Sequence, residues 1–220
     1  MGTVSEVPTA HIHAHVHLAA VPFLPELRLH QADEPIGLFE LAGGGYSSDR
    51  PPPFWAFAWA GGQGLARYVL DHPDTVKGRR VLDLAAGSGL VAIAAALAGA
   101  AAVRAVDVDA DAVRAIGRNA SANGVAVEAT LGDVLAEDAG DAEVILAGDA
   151  FYSKAMADRV LAFTRRAARN GTRVLVGDPD RAYLPRRLFR LLHTYDVPTG
   201  PALEGVPVKR TMIWELPGPA

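Results

Sequence analysis

Residues 81–109 read VLDLAAGSGLVAIAAALAGAAAVRAVDVD, and their order decides the fold. Val81 to Leu84 is a short apolar strand, and Ala85 to Gly89 is a glycine turn. Leu90 to Ala98 has the small apolar residues of a buried helix, and Val103 to Asp107 is a second strand. A strand, a helical crossover and a strand in so short a span form a parallel βαβ unit.

The same alternation continues downstream. Ala110 to Asn123 reads as a helix ended by Gly124, and Val125 to Thr130 and Glu143 to Ala147 read as strands. Ser153 to Arg169 is a long helix closed by Asn170-Gly171, and Thr172 to Val176 is the next strand. Leu192 to Val197 and Lys209 to Leu216 follow with no helical pattern between them, so they are expected to form an antiparallel pair. The expected fold is α/β: a Rossmann-like, seven-stranded, mostly parallel sheet with helices on both faces and a C-terminal antiparallel strand pair.

Upstream, Leu65, Tyr68, Val69 and Leu70 give a helix its apolar stripe, and Asp71-His72-Pro73 stops it. Pro51-Pro52-Pro53 reads as a rigid linker. It separates residues 1–50, an N-terminal extension packing on the core, from a domain over 51–220. Within the extension, Glu26 to His30 reads as extended chain, and Ile36 to Ala42 as a helical turn or two. His11, His13, His15 and His17 alternate with apolar residues, the period of a half-buried strand. No carboxylate is spaced with them as a metal ligand would be, so they are expected to form a polar face, with no metal.

Composition narrows the function. The 220 residues include no Cys, which excludes disulfide scaffolds, thiolate metal sites and cysteine nucleophiles. The formal charge of −4 argues against nucleic acid as partner. The first ten residues carry no Lys or Arg and no apolar run follows, so no signal peptide is expected. The Ala-rich stretch from Leu90 to Ala102 is too short to span a bilayer. A cytoplasmic monomer with no membrane partner is the expectation.

The turn Ala85–Gly89 lies where a strand meets a helix, which lets a ligand rest on backbone N–H groups. Gly87, Gly89 and Ala92 also satisfy the dinucleotide pattern, with Asp107 about where a ribose-binding acid belongs, so an NAD-dependent oxidoreductase competes. Two features favour S-adenosylmethionine. Asp83 is a carboxylate aimed at the turn, repelling a pyrophosphate and attracting an ammonium and a sulfonium. The motif also begins some eighty residues in, behind an aromatic segment able to cover a cofactor. Asp107 can then accept from both ribose hydroxyls, while Asp109 serves equally well as a helix cap. Asp133 can accept from the adenine amine and the Val134 N–H can donate to the ring. All three acids, Asp83, Asp107 and Asp133, close strands at the edge where open α/β sheets bind ligands.

The fourth strand ends in Gly148-Asp149-Ala150-Phe151-Tyr152, a carboxylate and a phenol suited to holding a flexible amine. A methyl acceptor must offer a lone pair, and an aromatic-lined channel favours the neutral amine by desolvation. Phe54, Trp55, Phe57 and Trp59 precede Gly61-Gly62-Gln63-Gly64; of these, Trp59 is expected to flank a cation.

PFWAFAWAGGQGLARYVLDHP, VLDLAAGSGLVAIAAALAGA, VDVDADA, GDAFY and VLVGDPDR, taken together over residues 51–216, resemble the electron-transfer-flavoprotein β-subunit lysine methyltransferase family in its bacterial form. Asp149, Phe151 and Tyr152 match the family's Asp-x-Phe-Tyr motif, and Trp59, Gly61, Gly62 and Gln63 its Trp-x-Gly-Gly-Gln element. Ala85-Ala86 departs from the glycine or cysteine usual in the nucleotide loop. The resemblance implies S-adenosylmethionine-dependent N-methylation of lysine on a protein, the flavoprotein β subunit. The expected cofactor residues are Trp59, Gly62, Asp83, Ala85, Gly87, Ser88, Gly89, Asp107, Val108, Asp133, Val134 and Gly148, and the expected catalytic residues are Asp149, Phe151 and Tyr152. The same motifs would also suit a small-molecule N-methyltransferase or a non-catalytic cofactor-binding module.

Overall fold

The computed structural model describes residues 16–32 and 53–218. Strands β1 (Val16–Val21) and β2 (Leu24–Ala32) form an antiparallel hairpin. His17 sits exposed on β1, whereas His11, His13, His15 and the stretch Ile36–Ala42 lie outside the described residues. Helix α1 (Ala60–Asp71) leads into the sheet. There follow β3 (Arg80–Leu84), α2 (Leu90–Leu97), β4 (Ala102–Asp107), α3 (Ala110–Ala122), β5 (Glu128–Leu131) and β6 (Val144–Gly148). The chain closes with α4 (Lys154–Arg169), β7 (Arg173–Asp178), β8 (Arg190–Pro198), the single turn α5 (Pro201–Glu204) and β9 (Val208–Leu216).

The seven-stranded sheet has the order β5-β4-β3-β6-β7-β9-β8. The first five are parallel, and β9 runs antiparallel to both β7 and β8. Alternation along each strand divides the core in two. On β7, Val174 and Val176 join α4 on one face, while Leu175 joins α1 and α2 on the other. The hairpin adds Val21, Leu24, Leu27 and Leu29 to that second face.

Caps set several boundaries. The Asp109 carboxylate accepts from the Asp111 N–H at 2.8 Å to start α3, and the Ser153 hydroxyl accepts from the Met156 N–H at 3.3 Å to start α4. Two expectations are corrected. The third parallel strand begins at Glu128, not Val125, because the Val125 N–H is taken by the Ala120 carbonyl in closing α3. The β8–β9 connection does contain a helical turn, nucleated where the Leu203 and Glu204 N–H groups donate to the Gly200 carbonyl. Among the described residues, no helix is long and apolar enough to cross a membrane.

Candidate active site

Strand order reverses at β3, and the loops after β3, β4 and β6 open on the same edge of the sheet. A crevice forms where neighbouring connections leave in opposite directions. Here it is a cavity of about 480 Å³, within the range of small-molecule sites.

Part of the cavity wall is built by the turn after β3. Ala85, Gly87 and Gly89 all have positive φ, at 53°, 52° and 79°, so the loop folds back and releases N–H groups toward β4. The Gly87 N–H donates to Asp107 Oδ2 at 2.8 Å, and the Asp109 N–H to Asp107 Oδ1 at 3.0 Å. These bonds fix the Asp107 carboxylate and leave each oxygen a second lone pair for a ligand. Burial pushes its pKa up, and the N–H donors pull it back. Val108, largely exposed beside it, offers a flat apolar wall.

Asp83 is 1% exposed, and its Oδ2 accepts from the Ala92 N–H in the first turn of α2 at 2.9 Å. Burial pushes its pKa up to about 8. Without a bound cation this carboxyl is therefore mostly neutral at pH 7, whereas the sequence implies a standing charge. Asp133 accepts from the Leu135 N–H at 3.2 Å and pairs with Arg159 at 2.6 Å, a partner no motif indicates. Its pKa is lowered, chiefly by Arg159. Val134, Ser88, Gly132 and Gly148 also line the cavity.

Part of the lining is aromatic. Tyr152 is half exposed, 6.3 Å from Phe54 between ring centroids, and Phe54 packs edge-on against Trp59 at 5.8 Å. The Trp59 Nε1–H donates to the Phe54 carbonyl, so its ring is held in place at the start of α1. Burial, with the Asp107 charge second, pushes the Tyr152 hydroxyl's pKa up and keeps it a proton donor. The expectation for Phe151 is corrected: it is fully buried in the core beneath α4, edge-on to Phe189 at 6.1 Å, and does not line the cavity. The chain turns through Asp149 at φ 56°, which sends successive side chains to opposite sides.

Asp149 also lines the cavity, and it is not a free carboxylate. Its Oδ2 accepts from the Gly62 N–H at 2.9 Å, and its Oδ1 accepts from Arg181 Nε at 3.0 Å and Nη2 at 2.6 Å. Burial pushes its pKa up, against the pull of the Arg181 guanidinium. Arg181 also lies 3.5 Å from Glu204, a nearly inaccessible carboxylate that accepts from the Ala60 N–H. Asp178 completes the group; its Oδ1 accepts from the Arg181 N–H, and burial pushes it up to about 6. Arg181 and Asp178 lie inside the VLVGDPDR segment, so the segment is visible in sequence but not the pairing, which joins residues 32 positions apart.

The glycines around Asp149 answer to packing. A Cβ on Gly61 would lie 2.5 Å from Asp149 Oδ2 and from the Gly177 carbonyl, and one on Gly148 would lie 2.8 Å from the Gly62 Cα. Helix α1 thus touches β6 and β7 backbone to backbone, which is how the Gly62 N–H reaches Asp149.

Comparison with known proteins decides among the chemistries this cavity allows. A family model described as ribosomal protein L11 methyltransferase matches residues 67–164. The electron transfer flavoprotein beta subunit lysine methyltransferase of Xenopus laevis is 36% identical over 188 residues, covering 82% of this chain and 73% of that protein. The chain belongs to that family. The Danio rerio member is 37% identical over 171 residues, covering 74% of this chain and 66% of its own length, so the chain spans about two thirds to three quarters of these relatives. Membership places it among methyltransferases and sets aside the oxidoreductase reading. Among solved structures, a 16S ribosomal RNA N2 methyltransferase of Thermus thermophilus superposes with a TM-score of 0.57 at 22% identity, covering 91% of this chain and 50% of that one. A presumed RNA methyltransferase of Pyrococcus horikoshii gives 0.59 at 18%, covering 84% and 98%. Both show the shared fold. The cofactor of such enzymes, S-adenosylmethionine, fits the residues present: a buried carboxyl at Asp83 to meet a cation and an oriented carboxylate at Asp107, while the two arginines of the lining, Arg159 and Arg181, are paired with Asp133 and Asp149.

Proposed function

We propose that the chain is an S-adenosylmethionine-dependent protein-lysine N-methyltransferase whose substrate is the electron transfer flavoprotein β subunit. It acts in the cytoplasm as a monomer, without nucleic acid. The observation that carries this reading is one cavity lined by both the carboxyl groups of Asp83, Asp107 and Asp149 and the aromatic rings of Phe54, Trp59 and Tyr152. The family relationship supplies the acceptor class.

The cofactor would be held by Asp83, the Gly87–Gly89 turn, Asp107, Val108 and Val134, and would supply a methyl group on a sulfonium. Everything else falls to the protein. A lysine amine is protonated in water at neutral pH, with a pKa of about 10.4, so the site must favour the neutral amine. Phe54, Trp59 and Tyr152 do so by excluding water and stripping hydration from the ammonium. Arg181 contributes too. It neutralises Asp149, so the incoming amine meets an ion pair instead of a bare buried carboxylate, which would hold the proton on nitrogen. Rate then comes largely from alignment of the amine within the cavity.

The test is incubation with methyl-labelled cofactor and purified electron transfer flavoprotein, followed by peptide mass spectrometry. Label on a β-subunit lysine is the expected result. Label on another protein of a cell lysate, with none on the flavoprotein, rejects the substrate; no label on any protein rejects the protein-methyltransferase reading.

A further inference from the structure

Asn119 lies on α3, 31 residues from the turn after β3, and is completely buried. Its Nδ2 donates to the Ser88 carbonyl at 2.8 Å, between the two glycines of that turn. Its Oδ1 accepts from the His30 backbone N–H at 2.7 Å and lies 2.9 Å from His30 Nδ1. The orientation of the amide is fixed by its surroundings. A backbone N–H only donates, so it must face Oδ1; a carbonyl only accepts, so it must face Nδ2. The same logic puts the proton of His30 on Nδ1.

The hairpin is seated by a second amide one turn further on. Asn123 accepts from the Arg28 N–H at 2.9 Å and donates to the Arg28 carbonyl at 2.6 Å. The two asparagines therefore grip β2 at Arg28 and His30, while Asn119 alone continues into the turn. Helix α3 backs that turn at a further point: a Cβ on Gly89 would approach Ile116 within 3.2 Å. A turn with three positive φ angles in five residues is not the preferred path of the chain, and neighbouring structure must hold it.

We infer that the β1–β2 hairpin is part of the cofactor site at second hand: His30, through Asn119, fixes the Ser88 carbonyl and so presets the turn that receives the cofactor. Asn119 is a positioning residue, since it does not line the cavity. The inference rests on the reading of that cavity as an S-adenosylmethionine site.

Two variants test it, with S-adenosylhomocysteine affinity measured by calorimetry and steady-state kinetics run alongside. Asn119→Asp keeps both acceptor contacts to His30 but turns a carboxylate oxygen toward the Ser88 carbonyl. Affinity should fall about tenfold, and the loss should appear in the KM for the donor more than in kcat. His30→Phe keeps the ring and the backbone bond and removes one ring contact, for a loss of about threefold. It also serves if Asn119→Asp does not fold. A merely structural asparagine would lower the melting temperature and leave the donor KM and product affinity as in the parent. Parent-like affinity in both variants, or in His30→Phe alone if Asn119→Asp does not fold, overturns the inference. A parent protein that binds no S-adenosylhomocysteine overturns instead the cofactor reading beneath it.

Discussion

Asp83 and Asp149 are both buried carboxyl groups at strand ends, yet the fold treats them in opposite ways. Asp149 has a guanidinium in contact; among the described residues Asp83 has one backbone N–H and no cation. The difference has a pH signature. The folded pKa of Asp83, about 8, lies above its unfolded value, so folding favours the protonated carboxyl. Its contribution is fully present below about pH 4 and is lost as pH rises toward 8. Asp83→Asn mimics the neutral form. In urea titrations without cofactor, the variant should gain on the parent by up to about 1.4 kcal/mol per pH unit between pH 5 and 7.5; parallel pH curves would show that Asp83 is charged in the empty site. Arg181 makes the converse case. Replacing it with Met strands the Asp149 charge and should cost about 3 kcal/mol at neutral pH. Arg190→Met removes an exposed guanidinium from Glu215, which keeps its bond to Arg173, and should cost clearly less. Equal losses from the two would remove Arg181 from its assigned role.

At the scale of elements, the period of the apolar residues makes the helices and parallel strands legible, and capping residues place their ends. Asp109 and Ser153 both stand at expected starts. The exceptions share a cause. Val125 looks like strand in isolation, and only the return of the chain onto the end of α3 claims its N–H. Within Gly61-Gly62-Gln63-Gly64, Gly62 lines the cavity as the sequence leads one to expect, whereas the need for Gly61 cannot be read from sequence: it is there because α1 lies on the Gly177 carbonyl. Gly61→Ala should therefore push α1 off β7, destabilising the fold by about 1–3 kcal/mol and lowering methyl transfer as the Gly62–Asp149 bond lengthens. Gly117 on the exposed side of α3 has open space around its Cβ position. Gly117→Ala should stabilise by about 0.5–1 kcal/mol through helix propensity. Thermal unfolding of both variants checks the contrast, and a neutral Gly61→Ala would contradict the backbone contact.

For the whole molecule, the acidic edge of the sheet can be read from one chain because Asp83, Asp107 and Asp133 each close a strand in sequence. What cannot be read is everything made by contacts distant in sequence: the Arg181–Asp149 pair, the Arg159–Asp133 pair, the turn of the chain that buries Phe151, and the path from the hairpin through Asn119. Sequence periodicity reports which face of an element is apolar, whereas those features depend on which elements become neighbours. The assembled result is a cavity lined by carboxyl groups and aromatic faces, with its two arginines, Arg159 and Arg181, already paired with Asp133 and Asp149. That this cavity takes a cationic nucleoside rather than a dinucleotide is tested most directly by calorimetric titration with S-adenosylmethionine and with NAD, in the parent and in Asp107→Ala. One molecule of S-adenosylmethionine should bind per chain at about micromolar affinity, weaken at least about tenfold in the variant, and meet no NAD binding. Binding of NAD, or S-adenosylmethionine affinity unchanged by the loss of Asp107, would contradict it.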